Sequence, residues 1–258
     1  MSRETAPVQE PQDQRALLRE GERLDDLQLG GLKLIQSDRV FRFGMDAVLL
    51  ADYAQAGKGA QVLDLCCGSG IVPILMSARQ SDAHYTGLEI DPRAVDLAER
   101  SIRYNGLDTI TMIQGDIREA DLIFGAASFD VVTCNPPYMI GGHGRTGPDP
   151  YRTAARHELW CTFRDVTAAA SRLLKMSGHL YLVHRPFRMT EILTELRDAK
   201  LEPKRMRLVC PFADREPNLM LIDAVKGGRP RVTVEPPLIV YERPGTYTPE
   251  IRRIYGME

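Results

Sequence analysis

The chain has 258 residues, 43% hydrophobic and 26% charged, with a formal net charge of −2 and a pI near 6.2. That length and balance suit one medium α/β domain, and the apolar runs are strand-sized and broken by charge, which leaves no stretch for a membrane-spanning helix. The near-neutral charge argues against a protein that lives on non-specific DNA contact, while still allowing a local basic patch to serve a nucleic-acid partner.

In chain order, Met1–Gln14 is polar and proline-containing, without the apolar core of a signal peptide or the pattern of a transit peptide, so a cytoplasmic location is expected. Residues 1–20 read as a disordered lead-in to a single domain over 21–258. Within it, 21–56 reads as an N-terminal hairpin and helix, 57–226 as the core and 227–258 as a C-terminal extension. Gly30-Gly31 between apolar runs predicts a small hairpin over Leu24–Gln36, and Asp46 is expected to cap a helix running to about Ala54. From Gln61 onward strand-like and helix-like runs alternate, the signature of βαβ units and a parallel sheet. Strands are predicted over Gln61–Cys66, Tyr85–Ile90, Ile110–Gln114, Phe129–Cys134 and His179–His184. Helices are predicted over Ile71–Arg79, from Pro92 to about Tyr104 behind an Asp91 cap, and over Phe163–Leu174 and Thr190–Lys200. Arg205–Cys210 and Asn218–Val225 are two strands with no helix between them, which predicts an antiparallel close to the sheet. One more extended piece within Val232–Val240 and a short terminal helix follow.

The five cysteines (Cys66, Cys67, Cys134, Cys161, Cys210) have no C-x-x-C spacing and the five histidines no H-x-x-x-H, so neither a disulfide framework nor a metal is expected. The chemistry-bearing positions lie instead at the strand ends. Val62-Leu63-Asp64-Leu65-Cys66-Cys67-Gly68-Ser69-Gly70 is a strand running into a glycine turn before a helix, where a ligand can approach backbone N–H groups closely. Pro73 stands where a dinucleotide fingerprint has its third glycine, and Asp64 suits a ligand bearing an ammonium group. Glu89, roughly 20 residues beyond the glycines, is placed to accept from ribose hydroxyls, with Ile90 beside it to pack on an adenine face. Asp116 is placed to accept from the adenine amino group, and Asp46 is a further cofactor candidate.

After the fourth predicted core strand comes Asn135-Pro136-Pro137-Tyr138. Two prolines fix a rigid loop at the strand's carboxyl end, facing the crevice where open α/β sheets bind ligands. The Asn135 amide oxygen and the Pro136 carbonyl can accept both hydrogens of a planar amino group, with the Tyr138 ring as a stacking face. That arrangement suits methylation of a nitrogen whose lone pair is conjugated with a ring or carbonyl.

The order Asp64…Gly68-x-Gly70, Glu89, Asp116, Asn135-Pro136-Pro137-Tyr138 resembles the class I S-adenosylmethionine-dependent methyltransferases that act on amino groups. The resemblance implies a Rossmann-like α/β fold: a seven-stranded, mostly parallel sheet with an antiparallel terminal hairpin and helices on both faces. It also implies S-adenosylmethionine as cofactor, with Asn135 near both cofactor and acceptor. Cys66 departs from the family's usual first glycine. The flanks narrow the resemblance. Arg23-Leu24-Asp25-Asp26-Leu27, Phe41-Arg42-Phe43-Gly44-Met45-Asp46-Ala47, Ala155-Arg156-His157-Glu158 and Tyr247-Thr248-Pro249-Glu250-Ile251 are similar to bacterial methyltransferases of N6 of adenine 37 in a valine tRNA. That implies a tRNA partner; neither a membrane nor a metal is expected, and a monomer is the default state. The glycine-rich loop after the Asn-Pro-Pro-Tyr motif, with Arg145, Arg152 and Arg156, is a candidate grip on RNA phosphates, as are the basic residues between Arg185 and Arg207. The alternatives are N5-methylation of a protein glutamine, as in release-factor modification, or methylation of another RNA or DNA amino group.

Overall fold

The computed structural model describes residues 17–136 and 161–257. A two-stranded antiparallel hairpin, β1 (Glu22–Asp26) and β2 (Lys33–Ser37), precedes helix α1 (Met45–Tyr53). The core then alternates β3 (Gln61–Leu65), α2 (Ile71–Arg79), β4 (His84–Glu89), α3 (Pro92–Asn105), β5 (Ile110–Gln114), a 3-10 turn, α4 (Ala120–Phe124) and β6 (Phe129–Cys134). It continues with α5 (Phe163–Leu173), β7 (Leu174–His184), a 3-10 turn over Pro186–Arg188, α6 (Met189–Asp198), β8 (Leu201–Cys210) and β9 (Leu219–Lys226). The last elements are β10 (Thr233–Val234), β11 (Leu238–Ile239), the short hairpin β12 (Tyr241–Arg243) and β13 (Thr246–Tyr247), and α7 (Pro249–Ile254).

Across the main sheet the order is β10-β8-β9-β7-β6-β3-β4-β5, with β11 also on β8. Strands β5, β4, β3, β6 and β7 pair in parallel, and β9 runs antiparallel between β7 and β8. The expected seven strands and their antiparallel close are present. The sheet nevertheless has nine strands, because the C-terminal extension lays β10 and β11, two residues each, in parallel on the free edge of β8. Covering that edge removes a row of unpaired backbone groups.

The period-2 alternation of the strands sends side chains to two faces. On one face Val62, Tyr85, Val131, Tyr181 and Leu221 pack under α1, α2 and α7. On the other, Leu63, Leu65, Val132, Leu182 and Ile222 pack under α5 and α6. Helix α3 forms as its sequence dictates: Asp91 accepts from the Arg93 N–H, Pro92 opens the first turn, and Gly106 stops it at φ 63°. Asp46 is not the cap of α1. That position is Gly44, and Asp46 lies inside the first turn, accepting from the Ala47 N–H at 2.9 Å.

The boundary of the expected lead-in also shifts, because Leu17–Glu20 are held on α3. Arg19 forks onto Asp96, and Arg100 donates to the Leu17 carbonyl at 2.6 Å and to both Glu22 oxygens at 2.6 and 2.7 Å. The Arg100 side chain is only 7% exposed. Burial alone would raise the Glu22 carboxyl, but Arg100 and Arg19 hold it below the usual carboxylate range. The stabilisation from that lowered pKa is fully present above the unfolded-state value of 4.5 and is lost as pH falls through the lower folded-state value. Arg100→Met strands the Glu22 carboxylate. It should cost about 3 kcal/mol, the low end for a broken buried pair because Asp96 is partly exposed, and lower the melting midpoint by roughly 6–12 °C. A thermal scan at pH 7 checks it, and the deficit should shrink on acidification.

Among the described residues no helix is long and apolar enough to cross a membrane.

Candidate active site

The carboxyl ends of β5, β4, β3 and β6 are neighbours along one edge of the sheet, so the residues just past them form a row. At its centre is the β3–α2 turn. Gly68 and Gly70 have φ of 57° and 82°, the left-handed region that glycine enters freely. A Cβ on Gly70 would also come within 3.1 Å of the Ala98 Cβ on α3, so the turn and the close helix both require glycine there. Cys66 takes φ 57° without being glycine, so the turn survives the substitution by forcing a thiol-bearing residue into a sterically costly conformation. Its Sγ lies 3.8 Å from Cys161 Sγ. The hydrogen bond with Cys134, together with burial, pushes the Cys66 thiol well up, so it is held protonated rather than poised as a nucleophile.

Glu89, at the end of β4, ties the turn to the next strand. Its Oε2 accepts from the Gly68 N–H at 2.8 Å, and Oε1 accepts from the Ile90 and Asp91 N–H groups at 2.9 Å each. Burial pushes this carboxyl up and the three N–H donors oppose that. Two donors fill Oε1 and one is on Oε2, so Oε2 keeps a lone pair for a hydroxyl. Ile90 is half-buried beside it.

Asp64 is 3% exposed and lies beneath the turn, where its Oδ1 accepts from the Thr133 hydroxyl of β6 at 2.6 Å. Burial lifts its pKa to about 7 despite that bond. Thr133 was not singled out in the sequence, where it is one polar residue in an apolar strand; a buried hydroxyl level with an acid on the neighbouring strand is its only signal. Asp116 stands past β5 as expected, but its oxygens are engaged. It caps the following turn through the Arg118 N–H at 2.9 Å and pairs with the Arg118 guanidinium, which holds its carboxyl below the usual range. Arg118, two residues on, is a second residue missed by the sequence reading. Asp46 lies on α1, near enough to Tyr255 to help raise that phenol.

Asn135 and Pro136 follow β6 directly. The register Leu65↔Cys134 sets them beside the β3–α2 turn, on the side away from Glu89 and Asp116. Asn135 is half-buried and Pro136 buried. Tyr138, Arg145, Arg152 and Arg156 lie outside the described residues. Of the seven basic residues from Arg185 to Arg207, four are paired with acids: Arg188 with Glu191, Arg197 with Glu202, Arg205 with Asp223 and Glu235, and Arg207 with Glu250.

A family model described as the methyltransferase small domain matches residues 42–200, which spans every element of this row. The chain belongs to that family. It is a methyltransferase with the class I Rossmann-like architecture. It is 28% identical over 228 residues to a tRNA1(Val) (adenine(37)-N6)-methyltransferase of Porphyromonas gingivalis, covering 85% of this chain and 89% of that one. A protein of the same name from Tolumonas auensis is 30% identical, with 84% and 89% covered. Among solved structures, a predicted O-methyltransferase from Agrobacterium tumefaciens superposes with a TM-score of 0.67 at 24% identity, covering 82% of this chain and 95% of that one. A geranyl diphosphate C-methyltransferase from Streptomyces coelicolor superposes at 0.53 and 16% identity over 70% and 78%. These two likenesses bear on the fold alone.

Proposed function

We propose that this methyltransferase moves a methyl group from S-adenosylmethionine to N6 of an adenine in tRNA, at position 37 of a valine tRNA, in the cytoplasm. The observation that carries the reading is the position of Asn135-Pro136, on the strand adjoining the glycine turn and on the opposite side of it from Glu89. Relatives at 28 to 30% identity over most of the chain bear that name. When bound, S-adenosylmethionine supplies an electrophilic methyl group on a sulfonium. The residues fit it: Oε2 of Glu89 has acceptor capacity for a ribose hydroxyl, and a Cβ on Gly68 would meet nothing within 4 Å, so the turn is open above that glycine.

Asn135 Oδ1 and the Pro136 carbonyl accept from the adenine amino group. Accepting both N–H bonds favours a pyramidal nitrogen and localises a lone pair otherwise spread into the ring. The two bonds strengthen as positive charge develops on nitrogen, so they stabilise the transition state more than the ground state. Tyr138 stacks on the base once it has left any helical stack. Incubation with methyl-tritiated cofactor and total tRNA from a strain lacking this gene should label one tRNA, and nucleoside analysis should return N6-methyladenosine. Label in a protein glutamine, with none in RNA, would overturn the reading.

Asp64 provides a test with a pH signature. Its pKa is raised from 3.8 to about 7 in the fold, so its ionisation destabilises the native state increasingly as pH rises from about 4 to about 7 and no further above that. Asp64→Asn keeps the acceptor for Thr133 and removes the charge. The variant should therefore melt higher than wild type at pH 8 and equally at pH 4, while binding the cofactor's ammonium end more weakly. A melting difference that does not change with pH would refute this account of Asp64.

A further inference from the structure

The reaction leaves one part of the carboxyl edge unused. Strand β8 runs parallel to β7 and β6, so its end at Cys210 shares the edge with Asn135, three strands away and about 14 Å by interstrand spacing. Between them, directly after β7 and one strand from Asn135, Phe187 stands in a 3-10 turn 76% exposed. Beyond it the loop joining β8 to β9 carries Phe212 and the exposed Arg215, and Tyr241 is anchored there by its N–H on the Pro211 carbonyl at 2.9 Å. Four rings follow in file: Phe212 to Tyr241 at 5.5 Å, Tyr241 to Tyr247 at 5.1 Å and Tyr247 to Tyr255 at 5.7 Å between centroids, the last two pairs within 16° and 8° of parallel.

The three tyrosines also pack on the core, so they have a structural use. Among the described residues Phe187 belongs to no apolar core cluster: its ring stands largely in water, one strand from Asn135. Asp214 and Glu216 flank Arg215, and the arginines of β8 are already paired, so this surface is aromatic rather than strongly cationic. Flat rings in a row with little net field suit unpaired bases, every one of which offers a π-face.

We propose that Phe187 and Phe212, the outer end of the ring file, form a stacking track for unpaired RNA bases flanking the methylated one; this rests on the proposed tRNA reaction. The test is fluorescence anisotropy of the full chain with a dye-labelled anticodon stem–loop of valine tRNA. Phe187→Ala should weaken binding about 5- to 100-fold, the range for one lost base–aromatic stack. Phe187→Trp should retain binding and Phe187→Leu should not, since bulk without a ring does not stack. The loss should be the same at low and high salt, because stacking is not screened. Met176→Ala, 70% exposed at the amino end of β7, should bind like wild type. Equal affinity of Phe187→Ala and wild type overturns the track, as does rescue by leucine or a wild-type chain that does not bind the stem–loop. Methyl transfer to tRNA by wild type is read separately. Transfer without dependence on Phe187 sinks only the track, whereas Phe187-dependent binding without transfer sinks only the proposed reaction.

Discussion

Asn135→Ala should slow methyl transfer by about a hundredfold or more while leaving cofactor affinity near the wild-type value, the scale for deleting one preorganised transition-state contact. The separation follows from the strand order. The three-way clamp of Glu89 on Gly68, Ile90 and Asp91 is built from β3 and β4 and does not involve β6. Truncating Asn135 removes an acceptor for the substrate amino group and leaves that clamp intact. The Pro136 carbonyl remains, so the variant retains some rate. Asn135→Asp keeps the acceptor oxygens and adds a charge, and should lie between alanine and wild type. Single-turnover transfer to tRNA, alongside calorimetric titration with S-adenosylmethionine, measures the two quantities independently. A folded Asn135→Ala enzyme turning over at the wild-type rate would remove Asn135 from the mechanism.

Glu89→Ala should weaken cofactor binding by about 1.5–3 kcal/mol, the scale of lost hydrogen bonds to a charged acceptor. It should also lower the melting midpoint, because three backbone N–H groups lose their acceptor together. Glu89→Gln is no gentler. Its amide places a donor either against the Gly68 N–H or against the Ile90 and Asp91 N–H pair, so each orientation sets donor against donor. Both variants should therefore lose affinity and stability together, whereas Asp64→Asn separates them. Titration and a thermal scan on the same samples decide it; unchanged affinity in a folded Glu89→Ala protein would end the ribose assignment.

The alternation of apolar strands with 3.6-period helices made the parallel core readable in the sequence, and the strand-end positions of Glu89, Asp116 and Asn135 followed from it. What stayed hidden depends on partners far away in the chain. The strand was expected only from His179, yet β7 begins at Leu174 because residues 174–178 pair irregularly with the start of β6, where Lys175 meets Asp130. The strand expected from Arg205 starts earlier: a register shift between Pro203 and Arg205 accommodates the proline, and β8 begins at Leu201. Strands of two residues, such as β10 and β11, are too short to carry a pattern. The arginines of β8 read as a surface patch because their partners Asp223, Glu235 and Glu250 come later in the sequence. Asp116 stands past β5, and its engagement by Arg118 was not foreseen.

The row of strand ends has a further consequence for recombination. Past α1, the donor candidates other than Asn135 fall in one uninterrupted stretch, from β3 at residue 61 to Asp116, and the acceptor candidates begin at β6 at residue 129. The border in space is therefore also a border in the gene, crossed once, through the turn and short α4 over residues 117–128. A single crossover in that segment would exchange one acceptor half for another, provided the incoming β6 kept a hydroxyl at position 133 for Asp64 and a carboxylate at position 130 for the Gln61 N–H.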